Sequence, residues 1–137
     1  MSRTLKMVLL IIGGLILVFT ITKTSIAQAP VVEYKDPPTV QELIKEWATF
    51  YNSPYQELMI VAKCESGYKK DVYGDGGRAY SVFQFHRPTF ERWAIEMGEE
   101  LDYYSYNDNI KLASWAFAKG EKYKKHWSCW TKMISHR

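Results

Sequence analysis

The sequence is poor in the residues that build metal and redox sites. Its 137 residues include two cysteines, Cys64 and Cys129, and three histidines. His86, His126 and His136 do not stand at metal-ligand spacing from either cysteine, and no C-x-x-C pair is present. We therefore expect no metal ion, and the sequence is a poor fit to a small redox protein.

Acidic residues are absent from residues 1–29, which carry Arg3, Lys6 and Lys23. Subtracting these three from the 18 basic residues of the chain leaves 15, which balance its 15 acidic residues. The pI of about 8.8 therefore belongs partly to the N-terminus and does not indicate a nucleic-acid partner. Residues 119–125 (KGEKYKK) are locally basic. A solvated helix end explains them better than a contact with an anionic polymer.

Residues 7–19 (MVLLIIGGLILVF) form an apolar run behind the basic start. Ala27-Gln28-Ala29 then fits the small-x-small cleavage rule, so residues 1–29 are predicted to be a secretory signal. The run is short for a membrane span, which needs about 20 apolar residues. Extending it to Thr22 brings it near the lower limit, so an uncleaved membrane anchor stays open. Either alternative predicts an extracytoplasmic protein.

Proline is concentrated in one place, since three of the five prolines fall within residues 30–38. This segment is predicted to be an extended linker, followed by one domain over residues 39–137. In an oxidising compartment the two cysteines suggest a disulfide. Closing that 65-residue loop would be worth roughly 4 kcal/mol in the chain-entropy model. Nothing in the sequence demands a dimer, so a monomer is expected.

The domain is predicted to be mainly α-helical. Thr39 and Glu42 form a capping-box pattern at the start of a first helix, and Ser53 with Pro54 is predicted to start a second that stops at Gly67. The apolar face of the first helix is predicted to hold Val40, Leu43, Ile44, Trp47, Phe50 and Tyr51. Further helices are predicted from Pro88, over 108–119 and over 126–133, whereas residues 79–85 could form a strand or a helical turn.

Glu65 is the most informative acidic residue. It lies at the C-terminal end of a predicted helix, where the helix dipole and partial burial both disfavour its charge. Both effects raise the pKa of a carboxyl group, as a general acid near neutral pH requires. The alternative is a solvated glutamate that precedes the C-cap glycine Gly67.

The sequence that follows carries a resemblance. Cys64-Glu65-Ser66-Gly67 is followed in order by Gly76 to Phe85 (GGRAYSVFQF), Pro88-Thr89, Asn109-Ile110 and Trp127-Ser128-Cys129. This order resembles the lytic transglycosylase and resuscitation-promoting-factor branch of the lysozyme superfamily, whose pattern is E-S-G, G-L-x-Q-[IF], P-x-T and N-I. The resemblance covers about Tyr55 to Trp130 and implies a small lysozyme-like domain.

The resemblance implies that Glu65 is the catalytic acid/base and that Gln84, with the backbone around Ser81 and Val82, holds the sugar beside it. It also implies that Cys64 and Cys129 form a disulfide that ties the catalytic helix to the last one.

Each of the aromatic and amide side chains near the motif could have either a structural role or a sugar-binding role. Tyr80 and Phe83 could offer ring faces to the saccharide, although core packing is the better explanation for Phe83 and Phe85. Asn109 is expected to cap or orient the fourth helix rather than to touch sugar.

Two positions depart from the family pattern. Ser81 stands where the family usually has glycine, and Ala116-Phe117-Ala118-Lys119-Gly120 is the nearest match to the A-Y-N-A-G of larger transglycosylases. The tyrosine hydroxyl and the asparagine of that motif are absent, which puts catalytic efficiency in question.

Three functions therefore remain open. The first is a lytic transglycosylase that cleaves peptidoglycan between MurNAc and GlcNAc with one glutamate and no cofactor. The second is a hydrolytic muramidase in which Asp71 or Asp75 helps water, although a turn-forming role suits both aspartates better. The third is a non-enzymatic cell-wall binding module.

Overall fold

The computed structural model describes residues 35–136, and a compact unit begins at Asp36. The predicted signal or anchor over residues 1–29 lies outside the described residues, as does most of the predicted linker. Residues 35–38 are exposed and form neither helix nor strand. Across the described residues, no helix combines the length and the apolar character that a membrane crossing needs.

The described domain is mainly α-helical, as predicted, with six helices and a small antiparallel sheet in the order β1-β2-β3. The helices are α1 (Val40–Tyr51), α2 (Tyr55–Ser66), α3 (Arg87–Met97), α4 (Tyr106–Ala118), α5 (Glu121–Lys124) and α6 (Ser128–Ser135). The strands are β1 (Tyr73–Gly74), β2 (Ala79–Tyr80) and β3 (Phe85–His86), with a 3-10 turn over Asp75–Gly77. Residues 79–85 are thus two short strands joined by a turn.

The helix boundaries test the predicted caps. The Thr39 and Glu42 capping box is present, and Gly67 ends α2 in the left-handed conformation. The predicted Ser53 cap is wrong, because Pro54 is the N-cap of α2 and no side chain caps that end. The fourth helix begins two residues earlier than predicted, where the Ser105 hydroxyl accepts the Asp108 N–H at 3.2 Å.

Helix α4 lies at the centre of the core, because eight of its thirteen residues are buried. Aromatic rings fill the space between α4 and the sheet, with Phe83 and Phe85 both packed against Trp127 at centroid distances of 6.1 and 5.3 Å. The prediction that Phe83 and Phe85 belong to the core is confirmed. Phe50 differs from the prediction, since it is 70% exposed at the end of α1.

A disulfide joins Cys64 on α2 to Cys129 on α6, with a Cα–Cα distance of 6.0 Å. These two helices also pack against each other. Cys64 directly precedes Glu65 in the chain, so the end of α2 that carries this glutamate is tied covalently to the last helix.

Candidate active site

A cleft of about 420 Å³ opens between the end of α2, the small sheet and the start of α6. Its polar content is high for its size, because two carboxylates, two imidazoles, an amide and two hydroxyls reach it. The lining residues are Glu65, Gly74, Asp75, Ala79, Gln84, Phe85, His86, Thr89, His126, Trp127 and Ser128. Two of the residues singled out for chemistry, Glu65 and Gln84, are therefore brought together in one cleft.

Burial raises the pKa of Glu65, and it is the largest of the influences on that carboxyl group. The pKa of Glu65 is therefore raised, as predicted, and burial is one of the two causes that the sequence analysis named. Two neighbours oppose it, since the backbone N–H of Cys129 and the charge of Lys132 both lower the pKa. The carboxyl group therefore sits where its neutral form is favoured, yet α6 offers a hydrogen bond and a positive charge to the anion.

The turn over residues 81–84 ends at Gln84 in the cleft wall, and its backbone is held by side chains from α2, from α4 and from the residue that precedes α6. Ser66, the neighbour of Glu65, donates its hydroxyl to the Val82 carbonyl at 2.8 Å. Asn109 accepts the Phe83 N–H at 2.8 Å and donates to the Tyr80 carbonyl at 3.2 Å. Trp127 donates its indole N–H to the Phe83 carbonyl at 2.8 Å. The turn and the end of α2 are therefore fixed relative to each other.

Both ends of this turn adopt the left-handed conformation, with φ of 68° at Ser81 and 49° at Gln84. Gln84 uses its side-chain amide to brace the turn, because Nε2 donates to the carbonyls of Val72 at 3.1 Å and Ser81 at 2.7 Å. Its Oε1 lies against Gly74, where an added Cβ would come within 2.1 Å of that oxygen. A side chain at position 74 would therefore displace the Gln84 amide from the turn that it braces.

The other predicted contact residues are buried beneath the cleft. Tyr80, Ser81, Val82 and Phe83 are almost fully buried and do not line it. The Tyr80 hydroxyl donates to Asp71 at 3.1 Å instead of facing the cleft. Their direct contact with sugar stays a prediction that the geometry does not favour, whereas Gln84, at the end of the same turn, does line the cleft.

Asn109 does not cap α4, but its hydrogen bonds to the turn are in keeping with the predicted alternative that it orients this helix. It is fully buried and fixes the 81–84 turn, while Ser105 caps α4. Phe117, which stands where larger transglycosylases have a tyrosine, is buried against Trp127 at 5.1 Å. Its ring therefore supports Trp127 in the cleft wall from behind.

Of the two loop aspartates, only Asp75 lines the cleft. Its Oδ1 accepts a hydrogen bond from Arg78 at 2.8 Å, and its Oδ2 lies 3.0 Å from His86 Nε2. Asp71 instead accepts the Tyr80 hydroxyl. Both aspartates thus have structural partners, as a turn-forming role predicts.

Three lining residues, Gly74, His86 and His126, escaped the sequence reasoning, and their only signal was a position close to a motif residue. Thr89, Trp127 and Ser128 belong to the motif segments, but no role was predicted for them. Among residues 35–136, no three His, Cys, Asp or Glu side chains are grouped so that they could hold a metal ion.

Comparison with known proteins gives one match. The transglycosylase SLT domain family matches residues 42–132, about two thirds of the chain. No curated protein and no solved structure matches. The match begins in α1, ends in α6 and includes every residue that lines the cleft. The chain therefore belongs to the transglycosylase SLT domain family.

Proposed function

We propose that this protein cleaves the glycan strands of peptidoglycan between MurNAc and GlcNAc, as a lytic transglycosylase with Glu65 as its acid/base. The observation that carries the proposal is the half-buried Glu65 in the cleft, whose pKa is raised by burial. A carboxyl group that keeps its proton towards neutral pH can donate it to a glycosidic oxygen. Family membership supports the same class of activity.

The reaction needs one carboxyl group in two states. Protonated Glu65 donates its proton to the glycosidic oxygen, and the bond from that oxygen to C1 of the muramoyl residue breaks. The resulting carboxylate accepts the proton of the C6 hydroxyl, whose oxygen bonds to C1 and closes a 1,6-anhydro ring. The Cys129 N–H and Lys132 favour the carboxylate between these steps, because both lower the pKa of Glu65.

A hydrolytic muramidase is the second candidate, and one observation favours it. Asp75 is a second carboxylate in the same cleft. Inverting glycosidases use such a residue as a base for water, and retaining ones use it as a nucleophile. Both Asp75 oxygens already have partners in Arg78 and His86, so the single-glutamate mechanism is the better match.

Analysis of the soluble products by mass separates these candidates. Full-length protein, purified oxidised, is incubated with peptidoglycan beside Glu65→Gln and Asp75→Asn variants. Products one water lighter than ordinary muropeptides, lost in Glu65→Gln and kept in Asp75→Asn, are expected. Ordinary reducing ends, lost in Asp75→Asn as well, would establish the muramidase. Wall binding without products from the unmodified protein would leave a non-enzymatic module.

A matched control separates loss of Glu65 from loss of any surface charge. Glu46 is an exposed glutamate on α1, away from the cleft. The Glu46→Gln variant carries the same change of group and is expected to release products at the normal rate.

The proposed site of action is outside the cytoplasm, with residues 1–29 as a signal or anchor. The apolar run, the basic start and the Ala27-Gln28-Ala29 site support export. Mass measurement of the mature protein decides between the two forms. A chain that starts after Ala29 indicates a cleaved signal, and an intact chain in the membrane fraction indicates an anchor.

A further inference from the structure

A second hollow of about 390 Å³ lies on the far side of β3 and the start of α3, outside the Glu65 cleft. We call it the tyrosine hollow, because the side chains around it include Tyr73, Tyr103, Tyr104, Arg78, Arg87 and His86. His86 also lines the Glu65 cleft. The two depressions therefore adjoin each other along one side chain.

Two of the tyrosines around the hollow have largely exposed side chains. Tyr73 is 59% exposed and Tyr104 is 52% exposed. Both rest on the buried ring of Tyr80, at centroid distances of 4.8 and 5.4 Å. Tyr103 adds a contact to Tyr104 at 5.2 Å. The exposed rings are thus held in place before any ligand arrives, which lowers the ordering cost of binding.

The charge around these rings is balanced. Arg78 pairs with Asp75 at 2.8 Å and Arg87 pairs with Glu91 at 2.7 Å. A paired guanidinium is a weak attractor for an anion, but each still has N–H donors beyond those used in its pair. Ring faces beside spare donors, without net charge, suit a neutral ligand that is rich in hydroxyl groups.

We propose that the tyrosine hollow binds a pyranose of the glycan strand, next to the sugars held in the Glu65 cleft. The apolar face of the pyranose lies on Tyr73 or Tyr104, and the guanidinium groups of Arg78 and Arg87 donate to its hydroxyl groups. Because the two depressions share His86, one strand can occupy both. This inference rests on the proposed function and extends it to a preference for longer strands.

The test measures affinity against chain length, using chito-oligosaccharides of one to six sugars and calorimetry. All proteins are full length and carry Glu65→Gln, so that no sugar is cut. The parent is expected to bind long oligosaccharides more tightly than short ones. Tyr73→Ala with Tyr104→Ala is expected to lose about tenfold in affinity for the long sugars and little for the short ones.

Two controls make the result specific. The Tyr73→Phe and Tyr104→Phe variants keep the rings and are expected to retain the preference for long sugars. Phe50→Ala removes an exposed aromatic ring on α1 that lines neither the hollow nor the cleft, and it is expected to leave the affinity for every sugar unchanged. Equal unfolding temperatures show that every variant is folded.

The outcomes separate this inference from the proposed function. Unchanged affinity for long sugars in the double alanine variant overturns the tyrosine hollow, as does an equal loss for short and long sugars. In both cases product release from peptidoglycan by the protein with intact Glu65 still upholds the proposed function. A parent that binds no oligosaccharide, with no product release from the Glu65 protein, overturns both.

Discussion

Replacing Ser81 by glycine is expected to stabilise the protein, although Ser81 belongs to the turn over residues 81–84 that leads into the cleft wall. Ser81 has φ of 68°, in the left-handed region that costs a residue with a Cβ about 1–2 kcal/mol. Its hydroxyl is fully buried and has no hydrogen-bond partner among the described residues. A buried hydroxyl in that situation costs about 1–3 kcal/mol.

Two effects oppose the gain. Glycine loses more backbone entropy on folding, about 0.4–1 kcal/mol, and loss of the Cβ group forfeits about 0.8 kcal/mol of burial. The net expectation is a gain of about 2 kcal/mol in the free energy of unfolding, the middle of a range from about 0 to about 4 kcal/mol. For a domain of this size, each kcal/mol corresponds to a rise of about 4–8 °C in Tm.

Urea denaturation and thermal melts of Ser81→Gly and Ser81→Ala measure the two contributions separately. Alanine removes the hydroxyl but keeps the Cβ group and the strained backbone. The relief of strain in the glycine variant, about 1–2 kcal/mol, is offset by a loss of about 1–2 kcal/mol in backbone entropy and Cβ burial, so the two variants are expected to be about equally stable. An alanine variant that is more stable than the glycine variant by over about 1 kcal/mol would show that the φ of Ser81 costs little. A glycine variant less stable than the natural protein would refute both parts of the reasoning.

Three further predictions concern Glu65 and the link between α2 and α6. Lys132→Gln removes a charge that lowers the pKa of Glu65, so the alkaline limb of the pH–rate profile is expected to move to higher pH; a limb that stays in place contradicts this. Because the folded-state pKa of Glu65 is raised, its stability contribution is greatest at low pH and is lost as pH rises through that pKa. Glu65→Gln is therefore expected to raise Tm near neutral pH but not below about pH 4, and an equal rise at both would point to a cause other than charge. Replacing Cys64 and Cys129 by alanine is expected to lower the free energy of unfolding by about 4 kcal/mol, measured by urea titration, and a loss under 1 kcal/mol would show that packing alone holds α2 to α6.

Local signals predicted the helices well because they act within a few residues. The Thr39 capping box and the glycine after α2 are present as the sequence indicates. The prediction failed where two neighbouring residues both favour the start of a helix. Ser53 and Pro54 are each suited to the N-terminus of α2, and Pro54 is the N-cap. Phe50 matched the apolar period of α1 but lies at its last turn, beyond the buried face.

The site was predictable only as far as its motif extends along the chain. Glu65 and Gln84 belong to the motif, and both line the cleft. His86 and His126 reach the same cleft from parts of the chain whose approach depends on tertiary packing. Neither a hydrophobic periodicity nor a helix-capping pattern indicates which residues tertiary packing brings together. These side chains could therefore not be identified from the sequence as residues of the cleft.

The two tyrosines of the sheet show why burial decides between structural and binding roles. Tyr73 and Tyr80 are directly paired across β1 and β2, so they share one face of the sheet. Tyr80 is nevertheless 7% exposed and Tyr73 59%. The difference arises because Tyr103 and Tyr104 pack against Tyr80, whereas Tyr73 packs at the edge of this group. The sequence motif pointed to Tyr80 as a ring for the saccharide. In the folded domain the exposed rings belong to Tyr73 and Tyr104, and the buried ring of Tyr80 packs against both.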